Sequence, residues 1–149
     1  MREVVLQVLF QKDLRGLKVK DIIPTVTVIS QWDKEDQDFF LQLVRGVEKE
    51  IEFIDQVLSS CTQRWPLNRM ANVDRNILRL AAFEMIFLPE IPVGVSINEA
   101  VELAKKYGTE WSGKFINGVL GRLAKMLETN KISGNKGEGF LYNPQKEKN

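Results

Sequence analysis

The stretch EWSGKFINGVLGRLAK, residues 110–125, carries the side chains best suited to binding chemistry. On a helical wheel of about 100° per residue, Trp111, Lys114, Phe115, Gly118, Gly121, Arg122 and Lys125 all fall within about 60° of Gly118. Cations suit phosphates, and aromatic rings suit unstacked bases. Glycines let a second backbone approach a helix closely. A surface for single-stranded nucleic acid would combine all three. The same stripe also fits a structural role, in which the glycines admit a neighbouring helix, the aromatics fill a gap and the cations are simply solvated. Each interior glycine costs about 1 kcal/mol relative to alanine, so the stripe calls for one explanation or the other.

Other chemistry is sparse. There is no histidine, which removes Ser-His-Asp and Cys-His catalysis and imidazole metal sites. The single cysteine, Cys61, excludes intrachain disulfides and CxxC motifs. Acidic residues abound without any acid/base or metal-ligand arrangement, so no catalytic residue, cofactor or metal is expected. Arg75 and Arg79 stand four apart on one helix face. They suit phosphate or nearby carboxylates, with carboxylates favoured because buried charges need partners. Phe10 suits stacking or the core, with the core favoured. SGNKGEG, near the carboxyl end, is glycine-rich but lacks the strand and helix that flank a phosphate loop.

Helices must position these residues, since no strand alternation is evident. Residues 2–14 read as a first helix ending near Gly16, and residues 19–30 as a second, interrupted at Pro24. A third runs from about Lys34 to Gln63, with Phe40, Val44, Val47, Ile51, Ile54, Leu58 and Cys61 in a 4-3-4-3 stripe. Cys61 on that stripe reads as a core residue. Trp65-Pro66 marks the boundary between two halves, followed by a turn of helix at 67–70. VDRNILRLAAFEMIFL is apolar nearly all round and must be a buried central helix, with Asp74 as its N-cap or first-turn acid. Next, Ser96 and Glu99 have capping-box spacing, Ile97, Val101 and Ala104 face inward, Glu102 and Lys106 pair at i,i+4, and Gly108 stops the helix. The last helix spans about 110–127, its core face formed by Ile116, Val119, Leu120, Leu123 and Leu127. The fold class is all-α: about seven helices in two small packed bundles, residues 1–64 and 65–130, with 131–149 a disordered polar tail.

The 149 residues include 44% apolar side chains, enough for a core, and a formal net charge of +1. The tail alone carries +2. Any nucleic-acid site must therefore be a local patch rather than a global basic field. No signal peptide or long apolar run is present, so a soluble, cytoplasmic protein without membrane contact is expected.

VDRNILRLAAFEM, IPVGVSINEAVELAKKYG and SGKFINGVLGRLAK, in that order and spacing, resemble the bacterial NusB family of transcription antitermination factors from Trp65 to about Lys125. LQVLFQKDL resembles that family's first helix, whereas residues 18–51 match in helical pattern only. The resemblance implies two helical bundles and no catalysis. It implies binding to boxA, a short single-stranded element of ribosomal RNA leaders, jointly with the small-subunit ribosomal protein NusE. The pair would then join other Nus factors on RNA polymerase. Carried residue by residue, the RNA surface would include Arg2, Phe10, Lys114, Phe115 and Asn117, overlapping the stripe of Gly118, Arg122 and Lys125. Asp74 becomes a candidate contact for NusE. Two positions depart from the family's pattern. Only Met1 and Arg2 stand where an arginine-rich stretch is usual, which implies a truncated start or fewer phosphate contacts. Gly121 stands where an acid is common. Two other readings remain open: a NusB-like domain of a ribosomal RNA methyltransferase, and a helical adaptor that binds only proteins.

Overall fold

A computed structural model describes residues 1–62 and 65–129, together with the backbone of 132–135 and 139–142. The helices are α1 (Arg2–Arg15), α2 (Val19–Ile22), α3 (Lys34–Lys49), α4 (Ile51–Cys61), α5 (Asn72–Phe87), α6 (Val93–Tyr107) and α7 (Ser112–Glu128). Short 3₁₀ turns stand at Ile23–Thr25, Thr27–Gln31 and Leu67–Arg69. The all-helical expectation holds for the body of the protein.

Several boundaries move, each for a local reason. α1 closes at Gly16, whose φ of 68° is left-handed and whose N–H donates to the Lys12 carbonyl at 2.9 Å. The expected second helix breaks up around Pro24, which has no N–H to donate, leaving α2 and two 3₁₀ turns. Asp33 caps α3 by accepting from the Asp36 N–H at 2.8 Å. The expected third helix is two helices, α3 and α4, separated at Glu50 (φ −102°, ψ 15°). Hydrogen bonds continue on both sides of that residue, so the chain bends without losing the stripe. Phe40, Val44, Val47, Ile54, Leu58 and Cys61 are buried, and Ile51 is half-buried.

The expected capping box of α6 is absent. Pro92 precedes the helix, so Ser96 lies a turn inside it, buried, and donates to Glu84 Oε1 at 3.0 Å. The expected Glu102–Lys106 pair is replaced by two others. Lys106 Nζ reaches Glu3 Oε1 on α1 at 2.8 Å, and Glu102 takes Lys105 at 3.5 Å. Ala104 is buried, while Ile97 and Val101 are half-buried against the core. Gly108 ends α6 in an extended conformation.

α5 lies at the centre, with every residue from Asn76 to Ile86 buried, as its composition requires. It packs against α1, α3, α4, α6 and α7. Gly46 lets α3 come onto it, because any Cβ there would strike the Phe83 ring. In the segment expected to be a disordered tail, the backbones of β1 (Ile132–Asn135) and β2 (Gly139–Tyr142) pair antiparallel, Ile132 opposite Tyr142. The other tail residues lie outside the described ones. No helix among the described residues is long and apolar enough to cross a membrane.

Candidate nucleic-acid interface

The start of α7 is set by a stitched turn. The Thr109 N–H donates to Ser112 Oγ at 2.9 Å, and the Trp111 N–H reaches Thr109 Oγ1 at 3.3 Å. Ile116, Val119, Leu120 and Leu123 then bury one face of the helix. Gly113 faces α6: a Cβ there would lie in ordinary contact, 3.4 Å from Lys105 Cγ and 3.8 Å from Val101 Cγ1. Gly118 and Gly121 do not. A Cβ on Gly118 would meet only Arg122 Nη1, at 3.9 Å, and one on Gly121 would meet nothing within 4 Å. Helix packing therefore does not explain these two glycines.

Around them, Lys114, Asn117 and Lys125 are exposed. Trp111 is 69% exposed. Phe115 is half-buried and rests on the core, which leaves part of its ring outward. Arg122 is only partly available, since its Nε donates to the Cys61 carbonyl at 2.6 Å and so caps the end of α4.

Arg2 is paired within the fold. Its Nε and Nη2 donate to the two Glu84 oxygens at 3.0 and 2.8 Å, and its guanidinium lies 5.9 Å from the centre of the Phe39 ring. The guanidinium expected on phosphate is thus engaged by a buried carboxylate, which needs a cationic partner. Phe10 is half-buried and, with Leu6, Gln7, Val73 and Tyr107, lines an apolar groove of about 340 Å³ between α1, α5 and α6. At the rim Tyr107 Oη donates to Glu3 Oε2 at 2.8 Å. Hydrogen bonds from Lys106 and Tyr107 hold the Glu3 carboxyl below its ordinary range.

Asp74 sits in the first turn of α5 behind its N-cap, Ala71. Its Oδ1 is buried with no hydrogen-bond partner. Arg75 and Arg79 are taken by carboxylates, as expected. Arg75 pairs with Asp13 at 2.7 Å, and Arg79 with Asp55 at 2.8 Å and Asp13 at 3.3 Å. These four line an open polar cleft together with Ser59 and Thr62. Among the described residues no group of three or more His, Cys, Asp or Glu could hold a metal. Sequence reasoning missed Tyr107, whose neighbours across the groove come from distant segments.

The NusB family model matches residues 1–125. This chain belongs to the NusB family. Among curated members, the transcription antitermination protein NusB of Bacillus licheniformis is 50% identical over 128 residues, covering 85% of this chain and 95% of that protein. The Pelotomaculum thermopropionicum member is 45% identical over 127 residues, covering 85% and 88%. Among solved structures, T. maritima NusB superposes with a TM-score of 0.78 at 41% identity, covering 83% of this chain and 87% of that one. A crystal structure of antitermination factors NusB and NusE in complex with dsRNA gives a TM-score of 0.74 at 33% identity, covering 83% and 92%. The matched family region contains α1 to α6 and the basic stripe of α7, and stops before the β-hairpin.

Proposed function

We propose that this protein is a non-catalytic, cytoplasmic antitermination factor. It binds boxA-type single-stranded RNA together with NusE, then joins other Nus factors on RNA polymerase to promote read-through. The observation that carries this reading is the open glycine pair. Gly121 faces open space and Gly118 meets only the tip of Arg122, beside Lys114 and Lys125, where a strand can lie against helix backbone with cations on either side. Phe115 offers part of a ring for a base, and Asn117 is exposed for hydrogen bonding. Arg122 contributes whatever its Cys61 bond leaves over, and Phe10 contributes from the groove it lines with Tyr107. The solved relative in complex with NusE and dsRNA supports NusE and an RNA as partners. For NusE, Asp74 in the first turn of α5 is the candidate contact.

Filter binding with boxA-type RNA at several salt concentrations, with and without NusE, tests the reading. Affinity should fall as salt rises, and NusE should tighten it by the factor by which RNA tightens NusE. Equal RNA affinity with and without NusE would remove the joint-binding part. No RNA binding at low salt would leave a protein-only adaptor.

A further inference from the structure

We propose that Trp111 is a stacking platform for one base of the bound single strand. This rests on the RNA-binding reading above and adds to it a residue outside the set named there.

Trp111 is 69% exposed, the most exposed of the large apolar side chains among the described residues. It is not among the residues packed on the core. Trp32, by contrast, meets Phe40 edge-on at 5.5 Å. An indole left in water forgoes the gain of burial, so a partner that covers the ring recovers it.

The backbone beneath the ring is fixed. Its N–H donates to Thr109 Oγ1 at 3.3 Å, and its carbonyl accepts the Phe115 N–H at 3.1 Å. The ring thus stands on an anchored residue, which lowers the ordering cost of binding. Its surroundings suit a base better than an apolar protein segment. Exposed Lys114 follows three residues later, about 4.5 Å along the helix axis, close enough to hold a phosphate of the same strand. Exposed Lys105 lies across from Gly113. Gly118 opens the helix face roughly 10 Å further on. Phe115 rests on the core, so the freer aromatic face on this edge belongs to Trp111. A platform that makes no hydrogen bond to the base accepts any base. Trp111 would therefore add affinity without sequence preference.

The test titrates the full chain and its Trp111→Ala, Trp111→Phe and Lys114→Ala variants with a fluorescein-labelled boxA-type RNA, reading anisotropy across salt. A matched series of RNAs carries one abasic nucleotide at each position in turn. Trp111→Ala should bind roughly five- to a hundredfold more weakly, with unchanged melting temperature and unchanged salt slope. Trp111→Phe should recover most of the loss. At one abasic position, Trp111→Ala should cost nothing further. If Lys114→Ala weakens binding while Trp111→Ala binds like the parent, the RNA reading stands and the platform is overturned. If Trp111→Ala weakens capture of NusE but not of RNA, the ring serves a protein contact and the platform is again overturned. If neither variant changes RNA binding, both readings fall.

Discussion

The Arg2 guanidinium grips the Glu84 carboxylate with two parallel hydrogen bonds, 3.0 and 2.8 Å long, at the meeting of α1 and α5. Ser96 adds a third donor from α6. Removing Arg2 would strand a buried carboxylate on one hydroxyl. Arg2→Ala should therefore destabilise the protein by about 3–5 kcal/mol. Below its melting temperature, the variant should show the parent's RNA salt slope. A flatter slope with an unchanged melting temperature would put Arg2 back on the RNA.

Glycine substitutions should divide by location. Gly118→Ala and Gly121→Ala fill open space in a helix, so each should raise stability by roughly 0.5–1 kcal/mol. Gly118→Leu should also fold, yet block RNA, because its side chain would occupy the proposed strand path. Gly46→Ala should do the opposite and cost about 1–3 kcal/mol, since the new methyl meets the Phe83 ring. Thermal melts beside RNA titrations distinguish these cases.

The cations of α7 should behave unequally. Lys114→Ala and Lys125→Ala should weaken binding to every RNA sequence and lower the salt slope by up to about 0.7 for each phosphate no longer neutralised. Arg122→Ala should also lose about 1 kcal/mol of stability, because the hydrogen bond from its Nε to the Cys61 carbonyl goes. A melt of Arg122→Ala identical to the parent's would show that this hydrogen bond matters little.

Acid should loosen the joint between α1 and α5. Burial alone would raise the Asp13 carboxyl, but hydrogen bonds from Arg75 and Asn76 and the charge of Arg79 outweigh it and hold the group below the usual range. A depressed carboxyl stabilises the fold above its unfolded value, near pH 4, and that contribution disappears as pH falls through the folded value. Asp13→Asn should cost roughly 2–3 kcal/mol at neutral pH, and the gap from the parent should shrink steadily below about pH 4. Melts as a function of pH check this. A constant gap would assign the effect to shape rather than charge.

Much of this was legible in the sequence because it rested on composition along one element. The run from Ile77 to Leu88 had to be a buried helix, and Cys61, on an apolar stripe, read as core and is buried. The pairing of Arg75 and Arg79 with carboxylates followed from the cost of an unpaired buried charge. What escaped depended on distant segments meeting. Ser96 and Glu99 have the spacing of a cap, but Pro92 starts the helix earlier and Glu84 claims the hydroxyl. Lys106 chose Glu3, 103 residues away, over its own helix neighbour. The bend at Glu50 left no trace because the apolar period runs through it. At the site, the stripe on α7 was visible from spacing alone. The inward turn of Arg2 and the diversion of Arg122 were not, since both are set by acceptors on other helices.

The placement of α5 has a consequence for how the molecule comes apart. Five helices, drawn from both ends of the matched sequence, each cover part of the same apolar cylinder. Peeling off any one wets α5 and loosens the grip of the other four, so partial opening gains little. The amides of 77–86 should exchange with deuterium only through global unfolding, at a common free energy, whereas those of α2 and its 3₁₀ turns should exchange much earlier through local opening. Native-state exchange would read that division directly. A protein built this way presents its binding edges on a body that unfolds as one unit, so an RNA or protein partner stabilises the whole fold and not merely the helix it touches.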